Sequence, residues 1–141
     1  MKRKASAVWR GGLKDGKGSI ATESGVLRDT QYSFSTRFEH GVGTNPEELI
    51  AAAHAGCFAM AFSAELGKAG ITPDSIYASA TVTLDKTDAG WTVTASHLDV
   101  TAKVPAADKA QVLGIANVAK LGCPISRLLR ANVTMDARLE G

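Results

Sequence analysis

At 141 residues, 45% of them hydrophobic, the chain is long enough for one domain with its own core and too apolar to be disordered. Its net charge of +2 is too small to argue for a nucleic-acid partner, and the basic N-terminal residues Lys2, Arg3, Lys4, Arg10, Lys14 and Lys17 read as decoration of an edge strand. Met1–Arg10 lacks the apolar segment of a secretory signal, so the expected compartment is the cytoplasm, where a pair of cysteines is more often free or reactive than a structural cross-link.

The first third predicts strands. Residues 5–10, 18–22 and 31–38 carry Val, Trp, Ile, Tyr and Phe in partial alternation, separated by Gly11-Gly12, Asp15-Gly16 and Ser24-Gly25. In the third run, Tyr32, Phe34, Thr36 and Phe38 share one face by strand periodicity, which sends Arg37 to the other.

Thr44-Asn45-Pro46-Glu47-Glu48 is a helix start. Asn45 suits the cap, Pro46 the first turn, and Glu48 completes a capping box; Thr44 with Glu47 offers the same box one residue earlier. The helix is expected to run to about Lys68, with Gly70 as its C-terminal cap. Its apolar stretch, residues 49–64, is interrupted by His54, Gly56 and Ser63 and is shorter than the ~20 residues that span a bilayer, so it reads as a central buried helix with no membrane role.

Residues 76–84 and 91–104 read as an antiparallel hairpin joined by the loop 85–90. A second helix is expected to open at Pro105-Ala-Ala-Asp108 and run to about Lys120. Gly122-Cys123-Pro124 breaks it and starts a short third helix, 125–130, before a last strand, 132–139. The plan is α+β, with antiparallel sheets around the central helix.

The candidate chemistry lies in Cys57 and Cys123. Cys57, inside the alanine-rich helix, is either a small buried apolar residue or a reactive thiol, with His54 three residues earlier on the same helix face. Cys123, just before Pro124, faces the positive end of a new helix, which makes it the more acidic thiol on local grounds. His54 is equally readable as a satisfied core histidine. The spacing excludes CxxC chemistry, and a metal site of His54, Cys57 and Cys123 lacks a fourth ligand, so no metal is expected. The glycines match no phosphate loop, and no cofactor is implied. Phe58, Met60 and Phe62 are either core or part of an apolar substrate pocket.

Three groups of residues resemble one family. Gly43-Thr-Asn-Pro-Glu-Glu-Leu-Ile-Ala-Ala-Ala-His-Ala-Gly-Cys57 is similar to the signature of the OsmC/Ohr family, and Gly122-Cys-Pro124 to its second cysteine site. Gly16-Lys-Gly18, Thr22-Glu-Ser-Gly-Val-Leu27 and Thr36-Arg-Phe-Glu39 resemble the OsmC branch, in matching order across essentially the whole chain. The resemblance implies a single OsmC-like domain over residues 1–141, in an intertwined homodimer with its active sites at the subunit interface. It implies a thiol-dependent peroxidase acting on organic hydroperoxides and recycled by a dithiol such as a dihydrolipoyl group. Cys57 is then the peroxidatic cysteine and Cys123 the resolving one, reversing the local ranking of the two thiols. Arg37 and Glu47 activate the thiolate; Glu47 has the family spacing of ten residues before Cys57, while Glu48 is free to cap the helix. The alternative is a non-enzymatic dimeric adaptor whose cysteines sense oxidation or bind thiols, with a zinc-binding structural dimer third. A homodimer is also expected on physical grounds, because one chain has few elements with which to cover both faces of an apolar helix.

Overall fold

Gly18 stands between two aromatic rings, and that packing organises the first sheet. In a computed structural model of the protein, which describes residues 1–140, β1 (Ala5–Arg10), β2 (Lys17–Thr22) and β3 (Thr30–Tyr32) pair antiparallel in that order. The register sets Trp9, Gly18 and Tyr32 side by side, and the Trp9 and Tyr32 rings lie 5.5 Å apart between centroids. A Cβ at residue 18 would collide with both rings. β1 is an edge strand exposed along its whole length, Val8 and Trp9 included, as its basic surroundings suggest.

The expected strand over 31–38 is half strand and half helix. After β3 the chain turns into α1 (Phe34–Phe38), capped by a reciprocal box in which the Ser33 hydroxyl accepts from the Thr36 N–H and the Thr36 hydroxyl accepts from the Ser33 N–H. Phe34 and Phe38 are four apart, one helical turn, and their rings sit 4.9 Å apart. The same residues fit a period of two, which is why strand alternation misplaces Arg37.

α2 (Pro46–Lys68) starts as expected: the Asn45 side chain accepts from the Glu48 N–H at 2.7 Å, and Asn45 Nδ2 ties the cap to the Thr36 carbonyl. It ends in a Schellman motif. Gly70, at φ +73°, donates to the Gly67 carbonyl, and the Ile71 N–H reaches back to the Leu66 carbonyl. At 23 residues α2 is long and apolar enough by length and composition to cross a bilayer. One row of it, His54, Phe58, Phe62 and Leu66, is nevertheless fully buried in a protein core.

Two compact units make up the chain, Met1–Leu49 and the residues from Ile50 onward. In the second, β4 (Ser75–Thr87), β5 (Gly90–Lys103) and β6 (Asn132–Glu140) form a sheet with β5 in the middle. The β4–β5 hairpin is longer than expected. Its link is only Asp88-Ala89, with the Thr87 hydroxyl closing the turn onto Gly90, which sits at φ +110°. β6 runs parallel to β5, so this sheet is mixed rather than antiparallel. The reason is the helical crossover between them, α3 (Lys109–Gly122) and α4 (Pro124–Leu128), which returns the chain to the end where β5 began. α3 starts at Asp108, whose carboxylate accepts from the Gln111 N–H, and not at Pro105; Ala106, at φ +58°, is outside helical conformation.

β5 turns Ser96, Leu98, Val100 and Ala102 into the core at a period of two. α3 contributes Val112, Ala116 and Ala119, and Cys123 continues that stripe one turn further.

Candidate active site

The core stripe of α3 carries Cys123 to the buried side of α2, where it meets Cys57. Both thiols are free. The Cys123 S–H donates to the Cys57 sulfur at 2.9 Å, with Cys123 fully buried and Cys57 partly accessible. A disulfide requires an approach to about 2.05 Å, a shift of just under 1 Å from this contact.

Cys123 is at once the residue that ends α3 and the one that precedes Pro124 of α4. Its side chain makes no capping bond to α4. The Ile125 backbone, at the start of α4, acts on Cys57 instead, favouring its thiolate. Burial pushes the Cys57 thiol up from its ordinary value, and pairing with the Cys123 sulfur works the same way when Cys57 is the partner that keeps the shared proton; the Ile125 backbone works against both.

His54 is a satisfied core histidine. It is fully buried, with Nδ1 2.7 Å from the Ser96 hydroxyl on β5 and Nε2 2.8 Å from the Ser126 hydroxyl on α4. Burial holds its pKa below the ordinary value, so the ring is neutral, one nitrogen donating and the other accepting. With both nitrogens engaged it is neither a base for Cys57 nor a metal ligand. Ser96, Ser126 and the Ile125 amide carry no sequence signal of their own; only the buried position of His54 hints that it needs partners.

In the first unit, Arg37 and Glu47 form a forked ion pair. Arg37 Nη2 donates to Glu47 Oε1 at 2.7 Å, and Nε lies 3.1 and 3.2 Å from the two carboxylate oxygens. Glu48 is occupied elsewhere, accepting from the Thr44 hydroxyl at 2.7 Å. Arg37 also lies over the Phe38 ring, 5.4 Å from its centroid. It borders a cleft of about 270 Å³ lined by Trp9, Leu13, Tyr32, Phe34 and Phe38. Phe58 and Phe62, by contrast, are fully buried in the core, while Met60 is exposed. A further group, His97, Asp99 and Asp136 on the outer face of the second sheet, has metal-ligand composition, but Arg138 Nη2 lies 3.5 Å from Asp99.

Residues 39–138 match the family model described as OsmC-like protein. The chain is 51% identical over 138 residues to a protein of Escherichia coli K12 named peroxiredoxin OsmC, covering 98% of this chain and 96% of that one. It is 34% identical over 137 residues to the organic hydroperoxide resistance protein OhrB of Bacillus subtilis, covering 96% and 95%. The crystal structure of OhrB superposes with a TM-score of 0.67 over 97% of this chain and 98% of that one, with 26% of residues identical in the superposition. An OsmC-like protein of Mycoplasma pneumoniae shares the fold at a TM-score of 0.78 and 13% identity, covering 100% of this chain and 99% of that one. The protein belongs to the OsmC-like family, with an α+β fold of two small sheets and helices shared with these structures.

Proposed function

We propose that the protein is a cysteine-based peroxidase that reduces organic hydroperoxides to alcohols through Cys57 and Cys123. The observation that carries this reading is the 2.9 Å contact between two free thiols, one fully buried and the other accessible. The names of the E. coli relative, a peroxiredoxin, and of the B. subtilis relative, an organic hydroperoxide resistance protein, support a peroxidase-type role.

The Cys57 thiolate attacks the distal peroxide oxygen. The O–O bond breaks, the alkoxide leaves as the alcohol after taking a proton, and Cys57 becomes a sulfenic acid. Cys123 attacks that sulfur, the S–O bond breaks, and the hydroxyl leaves as water with the Cys123 proton. An external dithiol, such as a dihydrolipoyl group, then reduces the disulfide and is itself oxidised. Because burial and Cys123 hold Cys57 protonated, the first step needs a cation to draw out the thiolate. Arg37, oriented by Glu47, is the residue to which we assign that role, and the aromatic cleft beside it suits the apolar part of the peroxide.

We further propose a homodimer in the cytoplasm. The exposed side of α2 presents Ala52, Ala53, Gly56, Met60 and Ala64, an apolar surface that a second copy would bury. Two free thiols suit a reducing compartment.

The test is steady-state turnover of cumene or tert-butyl hydroperoxide with dihydrolipoamide. Wild-type rates in Cys57→Ser would sink the assignment. A disulfide formed once, with no repeated turnover at excess reductant, would make the protein a redox-sensing adaptor instead.

A further inference from the structure

α4 presents two groups to Cys57, the Cys123 thiol that precedes it and the Ile125 amide within it. It does so with few anchors of its own. It is five residues long, has no side-chain cap, and contains no fully buried residue. Ile125 packs partly against the core, and Ser126 makes one buried-side contact, its hydroxyl on His54 Nε2 at 2.8 Å. The other face of the same imidazole is fixed to Ser96 of β5 at 2.7 Å. A single neutral ring therefore ties the central strand of the sheet, α2 and α4 together, and it does so one helical turn before Cys57.

We propose that His54 is a positioning residue for the resolving step, holding α4 through Ser126 so that the Cys123 sulfur stays on Cys57. This rests on the peroxidase reading above. When Cys57 becomes a sulfenic acid, its sulfur gains an oxygen in a closely packed site, and Cys123 must still reach that sulfur to form the S–S bond and release water. If α4 drifts, the attack is delayed while the sulfenic acid remains exposed to a second peroxide, which carries it irreversibly to sulfinic acid. The clamp therefore acts on the competition between resolution and over-oxidation; Cys123 and the Ile125 backbone shift the Cys57 thiol in opposite directions and move together with α4, so the first attack changes little. Ser96 supplies the fixed end, and Ser126 is the moving end.

Ser126→Ala removes the α4 end of the clamp without touching the Phe58, Phe62 and Leu98 core. Stopped-flow mixing with cumene hydroperoxide, read by intact mass, separates the two steps. The expected result is sulfenic acid formation within twofold of wild type and disulfide formation slower by about tenfold, the effect of losing one buried hydrogen bond. Sulfinic Cys57 should then accumulate at excess peroxide. A second pair of variants tests the geometry. His54→Gln places an amide near the Nε2 position and should keep fast resolution. His54→Asn reaches only toward Ser96 and should behave as Ser126→Ala, and Ser126→Ala carries the test alone if that variant does not fold. Wild-type resolution in Ser126→Ala, or equal slowing of both steps, would overturn the positioning role while leaving the peroxidase reading intact. A wild-type protein that forms neither sulfenic acid nor disulfide at Cys57 would remove the peroxidase reading, and this inference with it.

Discussion

Glu47 receives Arg37 through both carboxylate oxygens, so the guanidinium is held in a fixed plane and not as a mobile point charge. Arg37→Ala should reduce kcat/KM for organic hydroperoxides by about 10²-fold or more, the scale of losing an oriented cation at a reacting centre, with little change in melting temperature. Arg37→Lys should rescue poorly, because an ammonium cannot fill the fork. Normal peroxidase rates in Arg37→Ala would return this residue to a surface ion pair.

Cys123→Ser should separate the half-reactions. The variant is expected to consume one equivalent of peroxide at close to the wild-type rate and then stall. Intact mass should show oxygen added to Cys57 and no disulfide. Sustained turnover with dihydrolipoamide would mean that an external thiol resolves Cys57 directly.

The buried neutral His54 makes stability fall on the acid side. Its folded pKa lies below the ordinary 6.5, so between those values the unfolded chain binds a proton that the native ring does not. The stabilisation is complete above about 6.5 and is lost as pH falls below it. Urea unfolding across this window should show the decline in wild type and a flatter profile in His54→Gln. His40 and His97 are common to both proteins, so the difference isolates His54.

Gly18 has no room for a side chain between Trp9 and Tyr32. Gly18→Val should destabilise the first sheet by roughly 1–3 kcal/mol through overpacking. Tryptophan fluorescence would report the displacement of Trp9, and an unchanged spectrum and midpoint would contradict it.

Met60 is 78% exposed on the apolar outer side of α2. In the proposed homodimer a carboxylate there would be buried without a partner, at a cost of several kcal/mol. Sedimentation equilibrium should give twice the 14.7 kDa chain mass for wild type and move toward the monomer for Met60→Glu. A monomeric wild type at micromolar concentration would end the dimer proposal.

Chemistry that acts within a few residues was readable from sequence: the Asn45 cap, Gly70 at the C-terminus of α2, and the β4–β5 hairpin. Phe34 and Phe38 fit both a two-residue and a four-residue repeat, and only the Ser33–Thr36 box, which lacks the usual acidic partner, decides for the helix. The direction of β6 was hidden because a strand's side-chain pattern is the same in parallel and antiparallel pairs. The site divides in the same way. Each cysteine was visible as a candidate, but their meeting depends on contacts 66 residues apart, and its expectation came from resemblance. The Arg37–Glu47 pair came by that route too, since strand alternation had turned Arg37 the wrong way.

The Ile125 backbone, which acts on Cys57, would also serve as a gauge of the redox state in the proposed cycle. In the proposed cycle the Cys57 sulfur would be by turns a thiol, a thiolate, a sulfenic acid and half of a disulfide, each a different acceptor for the same N–H. The proton resonance of that single amide should therefore move at every stage of a turnover, furthest downfield with the thiolate. One backbone signal, requiring no label on either sulfur, would then follow the cycle in real time.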